Sequence, residues 1–234
     1  MIPKKIHYVW VGDQANIPNI ELEWIEETKR LHPDYEIKMW TEKDVPECEF
    51  MTHALSQKLY SYVADYIRCW VLYNEGGFYL DTDIKMLKKI PNEWTWYEAA
   101  LPRETGWYIS SFIMGSVLKG RLIKAILKLY TDAKDFEGPL DTEEWMPAEL
   151  WKPVIIQTYG LWSVNSPQNG KWSTAQMRFK AIEEHEACPY YPWDEKRVNE
   201  LVDTSQSVCI HYWNNYKKDK DIPFESFGTK FFDK

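Results

Sequence analysis

With 234 residues, 44% of them hydrophobic and 27% charged, the chain has ordinary globular composition, which argues against both a disordered chain and a membrane bundle. Its net charge of -8 argues against nucleic acid as the main partner, because backbone phosphates call for a basic surface. Length allows one domain with a substantial core, and 1–234 is read as such, with 211–234 as a C-terminal lid or tail. The departure from average usage is aromatic: 13 Trp, 15 Tyr and 9 Phe supply core, and such rings also stack on sugar or base faces.

Ile6 to Val11 is an apolar, aromatic run closed by Gly12-Asp13, as expected of a first buried strand, with Trp10 at its end as core or as a stacking surface. Pro18-Asn19 introduces a helix from Ile20 to Leu31, with Leu22, Ile25 and Trp24 facing inward, and His32-Pro33 ends it. Tyr35 to Trp40 is a second strand. His53 to Glu75 is the longest helical pattern, apolar around most of its circumference and so largely buried. Within it Asp65 and Arg68 share a face at i and i+3, as a structural ion pair or as groups aimed into a cleft.

Asn74 to Ile84, NEGGFYLDTDI, concentrates the chemistry. Gly76 or Gly77 can take the left-handed conformation that ends a helix, and Phe78, Tyr79 and Leu80 suit a strand covered on both faces. Asp81 and Asp83 then project to one side at the strand's exit, where carboxylate oxygens suit Mg2+ or Mn2+ and the metal can hold a diphosphate. The alternative is a polar turn after a strand.

Lys85 to Glu93 reads as a short strand and loop, Trp94 to Leu101 shows no clear periodicity, and Tyr108 to Ser116 is another strand. Lys119 to Tyr130 is an amphipathic helix with Leu122, Ile123, Ile126, Leu127 and Tyr130 on its apolar face. Pro147 to Tyr159 is helical, kinked or begun by Pro153. Ser163 to Lys171 is a loop, Trp172 to Glu186 a helix, and ACPYYPW extended. Ser207 to Trp213 is a last apolar segment; a His such as His211 at its end can be carried to the sheet edge where ligands bind.

Four Cys at 48, 69, 188 and 209 lack any C-x-x-C spacing and read as reduced thiols, which, with no 18-residue apolar window and no signal-peptide pattern, leads to the expectation of a cytoplasmic protein.

Together, IPKKIHYVWVG, ADYIRCWVLYNEGGFYLDTDI and IHYW resemble the family of glycosyltransferases containing a DXD sugar-binding region, related to the core of the clostridial glucosylating toxins. The resemblance implies an α/β GT-A fold, a Rossmann-like mixed sheet flanked by helices. It implies transfer, with retention of configuration, from a nucleotide-diphosphate sugar, UDP-sugars first, using Mn2+ or Mg2+. It further implies a saccharide or lipid-linked saccharide acceptor, in bacterial capsule or surface-polysaccharide synthesis. Carried over to these positions, Trp10 lies near the base, Asp65 and Arg68 contact the donor sugar and diphosphate, and Tyr79 lines the donor pocket. Asp81 contacts the ribose or a metal-bound water, and Asp83 and His211 coordinate the metal.

Where many members of the family have a Ser-Trp pair that closes over the diphosphate, this chain has Trp213 followed by Asn214, Asn215, Tyr216 and Lys217, so that Trp213, Tyr216 or Lys217 would take over those contacts. The Tyr212, Trp213, Tyr216, Lys217 and Lys218 cluster could instead offer peripheral contact with a membrane bearing a lipid-linked acceptor, or be a lid or solvated tail. Three rival readings compete. A haloacid-dehalogenase-type phosphatase has Thr or Val two places after the second Asp, where Lys85 stands here. A glycan-binding module would use Asp81 and Asp83 for structural Ca2+, and an inactive transferase would keep the fold without turnover.

Overall fold

A computed structural model describes residues 1–103, 109–134, 147–159, 179–188 and 205–212. Strand β1 (Lys5–Val9) leads through helix α1 (Asn19–Leu31) to β2 (Glu36–Trp40), which lies parallel to β1. Helices α2 (Glu49–Ser56) and α3 (Tyr60–Glu75) follow, and β3 (Gly77–Leu80) returns parallel to β1 on its other side. After the short β4 (Ile84–Met86), β5 (Ala99–Pro102) and β6 (Ile113–Ser116) run antiparallel to each other, and β6 pairs antiparallel with β3. Helices α4 (Arg121–Thr131) and α5 (Pro147–Tyr159), strand β7 (Phe179–Ile182), helix α6 (Glu184–Ala187) and strand β8 (Cys209–His211) complete the described elements. The main sheet has the order β2-β1-β3-β6-β5-β7, and β4 pairs with β8 in a separate ribbon.

Strand β3 is buried along its whole length, as three consecutive apolar residues require. Tyr79 joins the core formed with α2, α3, α4 and α5, while Phe78 and Leu80 join the opposite core with Ile6, Ile25, Ile84 and Phe112. The turn into β3 depends on both glycines. Gly76 (φ +63°) closes α3 by donating its N–H to Leu72 O, and Gly77 has φ +100°. A Cβ on Gly76 would lie 2.7 Å from the Leu118 nitrogen, and one on Gly77 2.7 Å from Lys5 O. The tight turn seats β3 directly against β1.

Several boundaries differ from the sequence expectation. The 53–75 pattern is two helices, broken at Gln57 to Leu59, where Lys58 takes a left-handed φ of 59° and Leu59 N–H turns back to Ala54 O. No Gly or Pro marks this break. In α1 the buried stripe is Glu21, Trp24, Ile25 and Thr28, while Leu22 is 42% exposed, so the inward face is rotated from the one expected. The first strand ends at Val9, and Trp10 to Val11 lie beyond it. Phe179–Ile182, expected to be helical, pairs parallel with β5 instead, because an open sheet edge supplies backbone partners that a short helix would have to provide internally. Pro153 lies inside α5. The loop at 163–171, the start of the helix expected from Trp172, Tyr108, and most of ACPYYPW fall outside the described residues.

Candidate active site

Asp81 and Asp83 occupy the turn that leaves β3 at the end of the sheet to which parallel β1 also points. Main-chain bonds hold the turn from both sides: Asp81 N–H donates to Phe112 O at 2.9 Å, and Tyr212 N–H donates to Asp83 O at 3.0 Å. His211 arrives on β8, whose register sets it opposite Ile84, the residue after Asp83. It therefore reaches the carboxylates through the β4–β8 ribbon and not through the main sheet. His211 Nε2 lies 3.1 Å from Asp83 Oδ1 and 3.7 Å from Asp81 Oδ2, and one ligand atom from each of the three residues falls within 4.8 Å of the others.

Helix α3 adds the second half of the site. Asp65 and Arg68 are both buried, and Arg68 Nη2 lies between two carboxylates, 3.3 Å from Asp65 Oδ1 and 3.2 Å from Asp81 Oδ1. The guanidinium also stacks 4.5 Å from the centre of the Tyr79 ring, and Tyr79 O–H donates to Asp81 Oδ1 at 2.5 Å. The isolated ion pair on a helix surface is thus excluded by geometry: the pair belongs to the carboxylate cluster.

Two carboxylates, Asp65 and Asp81, therefore converge on one guanidinium in a poorly solvated place. Burial pushes the Asp65 carboxyl up to about 7, against the pull of Arg68 and with a further push from Asp81. Asp81 is likewise held above the usual carboxylate range, first by burial and then by Asp83, while Arg68 and His211 oppose the shift. Such a surplus of negative charge is what a divalent cation relieves, and two carboxylates with an imidazole suit Mn2+, Mg2+ or a related ion. The residues present fit the group that the sequence implies.

Other positions take different places. Trp10 is half-buried just past β1, with its indole N–H donating to Asp13 O at 3.0 Å, at the same sheet edge as Asp81. Tyr79 is buried and meets the site through its hydroxyl and ring face. Tyr212 is not part of a surface cluster: it is buried and stacked on Trp24 of α1, with ring centres 4.3 Å apart. Trp213, Tyr216, Lys217 and Lys218 lie outside the described residues. A cavity of about 590 Å³ lies elsewhere, lined by Pro46, Cys48, Tyr66, Trp70, Tyr73 and Leu127 among others, and shares no residue with the carboxylate cluster.

Sequence reasoning passed over Ser111 and Phe112. Ser111 accepts from Arg68, and the Phe112 ring packs 4.9 Å from His211. Nothing in their local pattern distinguishes them from strand residues, since their partners are 43 and 99 positions away in the chain.

Residues 18–101 match the family described as glycosyltransferase sugar-binding region containing DXD motif. The family resemblance is thereby borne out. The chain is 30% identical to inositol phosphoceramide mannosyltransferase 3 of Schizosaccharomyces pombe over 165 residues, 66% of this chain and 44% of that protein. It is 29% identical to a mannosyl phosphorylinositol ceramide synthase of Saccharomyces cerevisiae over 177 residues, 73% of this chain and 45% of the relative. The matches thus span less than half the length of these relatives. Among solved structures, the glycosyltransferase PaToxG superposes with a TM-score of 0.53 at 17% identity, covering 67% of this chain and 70% of its own. The mixed six-stranded sheet flanked by helices is the GT-A fold.

Proposed function

We propose that this chain is a metal-dependent glycosyltransferase that moves a sugar from a nucleotide-diphosphate sugar to a saccharide or lipid-linked saccharide acceptor. The observation that carries this reading is the meeting of Asp81, Asp83 and His211 within 4.8 Å, beside buried Asp65 and Arg68, where all but His211 lie in the segment that matches the DXD family. Two carboxylates alone would be an ordinary polar turn. A third donor delivered by a distant strand makes a metal site.

In this reading Asp81, Asp83 and His211 hold the cation, Mn2+ or Mg2+. When bound, it supplies Lewis-acid stabilisation of the negative charge that grows on the departing diphosphate. Arg68 contributes fixed positive charge beside that region and keeps Asp81 oriented. Asp65, at the buried end of the same ion pair, accepts from donor sugar hydroxyls. Trp10 offers its ring near the base at the sheet edge. Transfer proceeds with retention on one face of the sugar, a departing phosphate oxygen taking the acceptor's proton.

One fungal relative is named a mannosyltransferase and the other a mannosyl phosphorylinositol ceramide synthase, so GDP-mannose stands beside the UDP-sugars as a donor to test first. A bacterial capsule or surface-polysaccharide acceptor remains the setting implied by the sequence resemblance. Cytoplasmic placement, with peripheral membrane contact, belongs to the same proposal, and cell fractionation tests it. The four cysteines are free thiols, in keeping with a reducing compartment.

The test is thermal stabilisation by UDP, GDP, CMP and their sugar conjugates, each with and without Mn2+, since a ligand bound to the native state raises the melting temperature. A shift that requires Mn2+ and disappears in Asp83→Ala supports the reading. No shift with any nucleotide, or a shift with oligosaccharide alone, overturns it in favour of an inactive transferase or a glycan-binding module.

A further inference from the structure

Arg68 reaches two carboxylates with one nitrogen, and the reason lies at its other nitrogen. Nη1 donates to Ser111 O at 3.1 Å and to Ser111 Oγ at 2.8 Å, while Nε points to Ala64 O at 3.4 Å. A guanidinium is a rigid planar fork, so docking Nη1 on one residue dictates where Nη2 lies. Here Nη2 falls between Asp65 and Asp81.

The position of Ser111 follows from the sheet. Leu80 pairs with Ile113 across the antiparallel β3–β6 ladder, and the bond from Asp81 N–H to Phe112 O carries the pairing one step further. That step brings the 111–112 segment alongside the Asp81 turn, where Phe112 meets His211 and Ser111 meets Arg68. One short segment therefore touches both the α3 half and the β8 half of the site.

We propose that Ser111 is a positioning residue that sets the Arg68 guanidinium across Asp65 and Asp81, an inference that rests on the transfer reading above. The Ser111 hydroxyl is the shorter of the two contacts to Nη1 and the only one a side-chain substitution removes. Without it Nη1 keeps only the Ser111 carbonyl, so the hold that sets the fork across Asp65 and Asp81 is weakened and the positive charge is less firmly fixed beside Asp81.

The experiment compares Ser111→Ala and Ser111→Thr in the full chain. Nitrogen-15 NMR of arginine side chains, with Arg68 assigned by its loss in Arg68→Lys, reads rotation of the guanidinium. Slow, resolved Nη signals are expected in the wild type and in Ser111→Thr, and averaged signals in Ser111→Ala. Turnover of GDP-mannose and UDP-glucose with Mn2+, followed as released nucleotide diphosphate, should lose about tenfold in kcat in Ser111→Ala, the scale of one charge-assisted hydrogen bond. KM should change less, and Ser111→Thr should recover most of the loss. Unchanged Arg68 signals, or an unchanged kcat, in Ser111→Ala overturns the proposal. If the wild type turns over neither donor, the nucleotide panel above decides the transfer reading by itself. The NMR comparison then decides the placement alone: averaged signals in Ser111→Ala support it and unchanged ones overturn it.

Discussion

Replacing Asp65 with Asn should make the protein more resistant to alkaline pH. Asp65 ionises near 3.9 in an unfolded chain and at about 7 in the fold, where burial outweighs Arg68. A carboxyl whose folded value is raised binds its proton more tightly when folded, so its contribution to stability is complete below the unfolded value. It is lost as pH rises through the folded value. Between pH 5 and pH 8 the linkage relation gives a loss of about 3 kcal/mol from this one group. The side-chain amide of the Asp65→Asn variant has no proton to lose and should show none of it.

Urea unfolding of the wild type and Asp65→Asn in EDTA, at half-unit steps across that window, measures the difference directly. Other titrating groups cancel to first order, because they are common to both proteins. The cost of depriving Arg68 of one partner offsets the curve for Asp65→Asn without tilting it. Curves that run parallel from pH 5 to pH 8 would refute the argument that burial, and not Arg68, governs Asp65.

The buried histidines act in the opposite direction. Trp40 Nε1–H donates to His7 Nδ1, and Ile90 N–H donates to His32 Nε2, so each ring is neutral and burial lowers its proton affinity. Their contribution is complete above the unfolded value of about 6.5 and is lost as pH falls. In the Asp65→Asn background, urea midpoints should fall on acidification below about pH 6.5, and less steeply in His32→Gln. An equal acid loss in both would exclude His32. Gly77→Ala should cost about 2 kcal/mol or more, because φ +100° and the 2.7 Å approach to Lys5 O both oppose a side chain; guanidinium unfolding checks it, and a change near zero contradicts the turn geometry. Trp24→Ala should cost about 3–5 kcal/mol and weaken Mn2+ binding by removing the stack on Tyr212, next to His211. Titration calorimetry with Mn2+ checks the second effect, and full affinity in a folded variant would show that α1 does not position the site.

The two halves of the site were not equally legible. NEGGFYLDTD declares itself because every instruction in it is local. A Gly pair ends a helix, three apolar residues fill a strand with two covered faces, and two acids follow. Helix α4 was legible for the same reason, with Leu122, Ile123, Ile126 and Tyr130 buried on one face. The break at Lys58 was not, because an apolar pattern spread around the whole circumference reads the same through one helix or two.

Local pattern thus dictated the strand, the turn and the carboxylates, together with the Asp65 and Arg68 spacing on one helix face. What those groups do for one another was settled by long-range packing. It brought His211 beside Asp83 through the β4–β8 register and set Nη2 of Arg68 between two acids by fixing Nη1 on Ser111. Strand pairing is made by backbone groups that every residue carries, so contacts between distant segments leave no mark in the side-chain pattern of either one.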